Sequence, residues 1–265
     1  MTDSATTTSQ QPTDIGGKNT PLVTGARLEK YFDDESQRRD STRAMFDAGA
    51  AGYDHAEAWT GLGSGPWYRR RVLKRFGLEA GDHVLDVATG TGLVAVEIDK
   101  LIQPGGLLIG LDPSPGMLEQ AKQKLDYPVI EGYAESIPGD ADRFDAVTMG
   151  YALRHLGSLD EAFGEFLRVL KPGGSVCLME ITKPKSRVGN ACIGFYLRRA
   201  VPVLARLSGR RLSVDTLWAY YWDTIQHCIP PEDIMAAMRR VGFEDVRCST
   251  TLSIFKEYLG TKPQR

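Results

Sequence analysis

The stretch His83–Val94 reads HVLDVATGTGLV, and its reading decides the fold. Val84-Leu85-Asp86-Val87 is a run of β-branched and apolar residues that suits a buried strand. Ala88-Thr89-Gly90-Thr91-Gly92 then turns the chain, and a helical pattern follows. A buried strand feeding a Gly-rich turn and a helix start is a cradle for a nucleotide-like ligand. Glycine lets the backbone approach closely, and the first N–H groups of the helix point outward at the positive end of its dipole. Asp112 follows twenty positions after Gly92, behind a second apolar run at 106–111 (GLLIGL). A carboxylate at the tip of the neighbouring strand accepts hydrogen bonds from ribose hydroxyls. These residues point to a nucleoside-containing cofactor.

Outward from this stretch the rhythm alternates. Strands are expected at 83–88, 106–111, 128–131, 144–149 and 175–181, with helices at 93–102, 115–125 and 159–170. Such alternation builds a parallel sheet with helices on both faces, and its ligands sit beyond the carboxyl ends of the strands. Lys171-Pro172-Gly173-Gly174 stops the third of these helices. Pro230–Val241 (PPEDIMAAMRRV) reads as an acid-started helix with proline at its start, and two strands at 243–249 and 252–259 close an antiparallel hairpin. The segment 183–229 interrupts the alternation and is expected to be a helical lid.

Upstream, residues 1–24 are rich in Thr, Ser, Gln and Gly and are expected to form a disordered tail. Residues 25–80 read as an N-terminal helical cap. In it, Phe46, Ala50 and Tyr53 share one helical face, although Gly49 and Gly52 weaken that helix. WYRRRVLKRF (67–76) is amphipathic and very basic. Its cations read first as a solvated face, with anionic headgroups or acidic groups elsewhere in the protein as alternative contacts.

The balance of charge is −2 with a pI near 6.1, which gives no general pull toward nucleic acid. Cys177, Cys192, Cys228 and Cys248 are far apart, without the paired spacing of a zinc site, and read as reduced thiols of a cytoplasmic protein. No apolar run reaches the roughly 18 residues that would span a bilayer.

Gly90-x-Gly92-x-x-Ala95 with Asp112 also satisfies a dinucleotide fingerprint, so NAD stays open on the motif alone. Asp86, four residues before Gly90, argues against a pyrophosphate, which it would repel. The closing helix and strands suit the seven-stranded sheet of enzymes that use S-adenosylmethionine (SAM), whose ammonium and sulfonium welcome a carboxylate.

The chain resembles the class I SAM-dependent methyltransferases, and within them the ubiquinone/menaquinone biosynthesis C-methyltransferase family. The resemblance rests on FDAGAAGYD (46–54), VLDVATGTG (84–92), Asp112, AESIP (134–138), FDAVTMGYALRHL (144–156) and LRVLKPGG (167–174). It implies a Rossmann-like α/β fold of seven strands, mostly parallel with the last antiparallel, and methyl transfer to a ring carbon of a quinol or related phenolic acceptor. A small specialised metabolite methylated at O, N or C is the alternative. The SAM-binding domain would span 81–265. A prenylated quinol, peripheral contact with the inner face of a membrane and a homodimer are the partners that fit.

By the same resemblance, Asp86, Gly90 and Gly92 would line the methionine and ribose side of SAM, and Ala88, Pro113 and Gly150 would also bind the cofactor. Asp112 would bind the ribose hydroxyls, Met117 would pack on the adenine, and Ala134 and Glu135 would flank its edge. Tyr53 would face the sulfonium, where an aromatic face attracts a cation. Read without the resemblance, Met117 is a core residue and Tyr53 a helix anchor. Arg154 and His155 follow the fourth strand, where the family pattern is Arg-Asn. Arg154 would stabilise a developing oxyanion and His155 would remove the phenolic proton; a loop histidine capping the strand end is the alternative. In the lid, Trp218, Tyr220, Tyr221, Trp222 and His227 would line an apolar pocket, with Tyr220 counted among the catalytic residues.

Overall fold

A computed structural model describes residues 35–60, 63–184, 186–196, 199, 223–226 and 228–264. The tail expected over 1–24 and most of the expected lid, including Trp218, Tyr220, Tyr221, Trp222 and His227, lie outside the described residues.

Chain order runs α1 (Glu35–Thr60), α2 (Ser64–Phe76), β1 (His83–Val87), α3 (Ala95–Ile102), β2 (Leu107–Asp112), α4 (Pro115–Lys122) and β3 (Val129–Glu131). It continues through β4 (Phe144–Gly150), a 3₁₀ turn at Leu153–His155, α5 (Leu159–Val169), β5 (Leu170–Ile181) and α6 (Arg187–Phe195). The chain closes with α7 (Pro231–Val241), β6 (Glu244–Thr251) and β7 (Phe255–Thr261). The seven strands form one sheet in the order β3-β2-β1-β4-β5-β7-β6. Every pairing is parallel except those of β7, which runs antiparallel to β5 and β6. The order reverses between β1 and β4, so the crevice for a ligand opens above their carboxyl ends.

Side-chain pattern explains these elements. On β1, Val84 packs with α2 and α3 on one face, while Leu85 and Val87 join the core under α5 and α7 on the other. Phe163 and Phe166 of α5 are fully buried, so truncating either to alanine would cost about 3–5 kcal/mol. Ser158 and Ser114 cap α5 and α4 by accepting the backbone N–H of Glu161 and Met117.

Three expectations about local structure change. α1 runs for 26 residues through Gly49 and Gly52, because its inward face is held by contacts at the carboxyl ends of β1, β2, β3 and β4. β5 begins at Leu170, so Lys171–Gly174 is an irregular strand start rather than a plain turn, with a register shift against β4. The closing strands sit one to three residues later than expected.

Candidate active site

β1 ends in Val87, and the next residue, Ala88, has φ +53°, an uncommon conformation for a residue with a Cβ. Tyr151 after β4 is similar, at φ +62°. Strained backbone at the tips of the two central strands marks the mouth of the crevice. Gly92 needs its glycine because its φ is +83°, a backbone conformation that residues with a Cβ rarely adopt. Gly150 needs it for another reason, since a Cβ would come within 2.7 Å of the Val94 side chain.

Two carboxylates organise this turn. Asp86, 1% exposed, accepts the hydroxyls of Thr89 (2.7 Å) and Thr148 (2.6 Å), tying the turn after β1 to β4. Asp112 accepts the backbone N–H of Gly90 and of Ser114, both at 2.9 Å. Burial pushes each carboxyl up to about 6, while their hydrogen bonds pull the other way. Neither has an ion-pair partner among the described residues. Each Asp112 oxygen accepts one backbone donor, and a carboxylate oxygen has two lone pairs, so one acceptor site on each is left for a ligand hydroxyl.

α1 lies across the strand tips and closes the crevice from above. Arg43 pairs with Glu131 at the end of β3 (2.8 Å). Asp47 accepts the Ser114 hydroxyl (2.5 Å) and the Gly116 N–H (2.8 Å) at the start of α4. The Ser114 bond, followed by that of Gly116, holds the Asp47 carboxyl below its ordinary range. Asp54 accepts the Thr91 hydroxyl (2.5 Å) and pairs with Lys124, whose ammonium also donates to the Thr91 carbonyl (2.6 Å). Phe46 meets Tyr53 at 6.4 Å between ring centroids and the His155 ring edge-on at 5.3 Å.

The expected site residues therefore fall into groups. Asp86, Ala88, Gly90, Gly92, Asp112, Pro113 and Gly150 surround the tips of β1, β2 and β4. Met117 and Ala134 are buried nearby, 2% and 7% exposed. Glu135 accepts the Gly157 N–H at 2.6 Å and faces Arg39 of α1 at 3.8 Å, so its carboxylate links the Gly157 loop to α1. Tyr53 sits on α1 beside Phe46. Arg154 is 1% exposed: its guanidinium is paired with Glu180, donates to Thr224 (3.2 Å) and donates to the Tyr151 carbonyl (2.8 Å).

Several residues were not anticipated from the sequence: Asp47, Asp54, Thr89, Ser114, Lys124, Tyr127, Thr148 and Glu180. One signal was present for the first two. They are seven apart, two helical turns, and so share the inward face of α1 with Phe46 and Ala50. The threonines carried no signal, because their role depends on β1 and β4 lying side by side.

This donor set fits a particular ligand. Two buried carboxylates beside a glycine turn suit a molecule with ribose hydroxyls and positive charge, and SAM has ribose, ammonium and sulfonium. The family profile described as the ubiE/COQ5 methyltransferase family matches residues 33–262. The chain is 32% identical over 235 residues to the ubiquinone/menaquinone biosynthesis C-methyltransferase UbiE of Geobacter sulfurreducens, covering 86% of this chain and 90% of that one. It is 29% identical to the demethylmenaquinone methyltransferase of Lactiplantibacillus plantarum, over 78% of this chain and 89% of that protein. Among solved structures, a SAM-dependent methyltransferase from Thermotoga maritima superposes with a TM-score of 0.60 at 19% identity, covering 83% of this chain and 99% of the other, and shows the shared fold. With the cradle, its carboxylates and these matches together, the chain belongs to the ubiE/COQ5 methyltransferase family and is a methyltransferase that uses S-adenosylmethionine.

Proposed function

We propose that the acceptor is a quinol or related phenol, methylated on a ring carbon, with S-adenosylhomocysteine released. The observation that carries this is the match along 90% of a relative named as a ubiquinone/menaquinone biosynthesis C-methyltransferase. When bound, the cofactor supplies a methyl carbon made electrophilic by its sulfonium. The remaining work belongs to the chain. Asp112 orients the ribose, and the glycine turn lets the backbone lie against it. Asp86 holds the turn in place through Thr89 and Thr148.

His155 takes the proton from the acceptor's hydroxyl, which leaves a phenolate whose ring carbon is electron-rich enough to attack. S-adenosylmethionine, held by Asp112 and the glycine turn, would supply the methyl group to that carbon and leave as S-adenosylhomocysteine. The ring then regains aromaticity by losing the proton of the substituted carbon to water. Phe46, edge-on to His155, places that imidazole under α1. Arg154 works through its neighbours: its pair with Glu180 and its bonds to Tyr151 and Thr224 set the loop that carries His155. In this arrangement it is a positioning residue.

Turnover of a short-chain demethylated quinol, with mass-spectrometric location of the new methyl group, tests the reading. Ring-carbon methylation supports it, and His155→Ala then lowers kcat by about 10²–10⁴-fold with SAM affinity unchanged. Methylation of small phenols or amines, with the quinol inert, would move the acceptor to the specialised metabolites. Near-normal turnover by His155→Ala would remove the base.

A further inference from the structure

The outward stripe of α2 is an unusual concentration of charge. Trp67, Arg70, Arg71, Lys74 and Arg75 follow the i, i+3, i+4, i+7, i+8 spacing, so they form one helical face, and together they line a surface groove of about 550 Å³. α2 contains no acidic residue, while the whole chain carries −2. Trp67 is 55% exposed, with the Arg71 guanidinium 5.7 Å from its ring centre.

Two of the five α2 cations serve the fold. Arg69 is buried and pairs with Glu57 of α1 at 2.6 Å. Arg75 pairs with Glu257, a buried carboxylate that also accepts Tyr68 (3.1 Å), Ser249 (2.6 Å) and Thr251 (2.9 Å). Arg70, Arg71 and Lys74 are exposed and make no ion pair among the described residues. The other face of α2 is fixed, with Tyr68 stacked on Phe255 at 4.4 Å between centroids. The stripe is thus a rigid cationic surface with an exposed indole at one end.

We propose that this stripe docks the enzyme on an anionic lipid surface. Its three spare cations match the charge of acidic headgroups, and Trp67 is the side chain that settles at the headgroup boundary. A nucleic acid suits it less: the stripe spans about 12 Å, which reaches few phosphates, and the rest of the chain is net negative. Its place in the fold gives docking a use. Phe255–Glu257 pair with Glu180, Ile181 and Met179, the carboxyl end of β5. A bilayer held on α2 therefore lies beside the ligand crevice, where an acceptor with an apolar tail would enter. The docking itself stands without the quinol reading, and vesicle binding is measured without turnover.

The test is cosedimentation of the full chain with phosphatidylcholine vesicles, with and without phosphatidylglycerol. Wild type should sediment only with the anionic vesicles and should be released by salt, since surface charges are screened beyond about 8 Å at physiological ionic strength. Each cation near such a surface contributes roughly fivefold, so neutralising three in R70Q/R71Q/K74Q should weaken binding on the order of 10²-fold, and the reversed charges of R70E/R71E/K74E should weaken it further. Trp67→Ala should weaken binding further in the wild-type charge background. Unchanged SAM binding and melting temperature would show that the variant is folded; should it fail to fold, R70Q/R71Q/K74Q serves in its place. No sedimentation of wild type, equal binding by the triple variant, or tighter binding of a single-stranded RNA at the same salt would each overturn the proposal.

Discussion

Replacing Asp112 by asparagine separates cofactor binding from folding, because the two should move differently. Each carboxylate oxygen already accepts one backbone N–H and has one lone pair left for a ribose hydroxyl. Asparagine keeps the shape and one acceptor, but its NH₂ opposes a donor. Hydrogen bonds to a charged group contribute about 1.5–3 kcal/mol each. Losing the charge at two of them should cost about 3 kcal/mol of cofactor binding, a rise of roughly 10² in Kd.

Stability should respond otherwise. Burial raises the folded Asp112 pKa from 3.8 to about 6, so the folded chain binds more protons than the unfolded one between about pH 4 and 6. Stability therefore falls as pH rises through that window, by about 3 kcal/mol for this group at 1.36 kcal/mol per unit. D112N lacks this dependence, while Asp86 retains its own. Comparing the variant with wild type cancels the carboxylates held low, Asp47, Asp145 and Glu165. Calorimetry with SAM and melting from pH 4 to 7 read both effects. Wild-type affinity should weaken by up to tenfold per pH unit below about 6, and D112N should lose that slope. A D112N Kd within threefold of wild type at pH 7.5 would refute the ribose assignment.

Three further outcomes follow from the same geometry. Glu180→Ala strands the buried Arg154 guanidinium and should cost about 3–5 kcal/mol in urea unfolding; a loss under 1 kcal/mol would mean that the pair is not buried in solution. Asp47→Ala removes the α1 carboxylate that accepts two hydrogen bonds from the start of α4 and should lower stability by about 1–3 kcal/mol while weakening SAM binding, whereas unchanged binding would separate α1 from the cofactor site. Burial pushes the Cys177 and Cys228 thiols up to about 12, and Cys192 is exposed, so a thiol reagent in native buffer should modify Cys192 first and Cys177 last; early loss of Cys177 would contradict its burial.

Much of this molecule is written in local sequence. The apolar runs at β1, β2 and β4, the amphipathic α5 and the Gly90–Gly92 turn each carry their own period or backbone requirement, and these survive without knowledge of the rest of the chain. That the cofactor contains a nucleoside followed for the same reason, from glycines and acids at strand tips, whereas the choice of SAM over NAD drew on Asp86, the closing strands and the family resemblance. α1 shows the limit. Its glycines argued for a weak helix, yet Asp47, Asp54, Arg43 and Phe46 hold it through partners at the carboxyl ends of four different strands. Propensity sees one residue at a time, whereas tertiary contacts override it.

Arg154 makes the same point at the chemistry. Its position after β4 was legible, and so was its nearness to a reactive site. That its charge is met by Glu180, twenty-six residues away, arises because β5 pairs with β4 and brings that carboxylate to the same strand tip. The sequence by itself determined the alternating elements, the cradle and its carboxylates, because periodicity and backbone stereochemistry act over a few residues. Only the tertiary structure decided which charges are buried in pairs and which, on α2, are left facing outward. Pairing depends on distances between segments that no local pattern encodes.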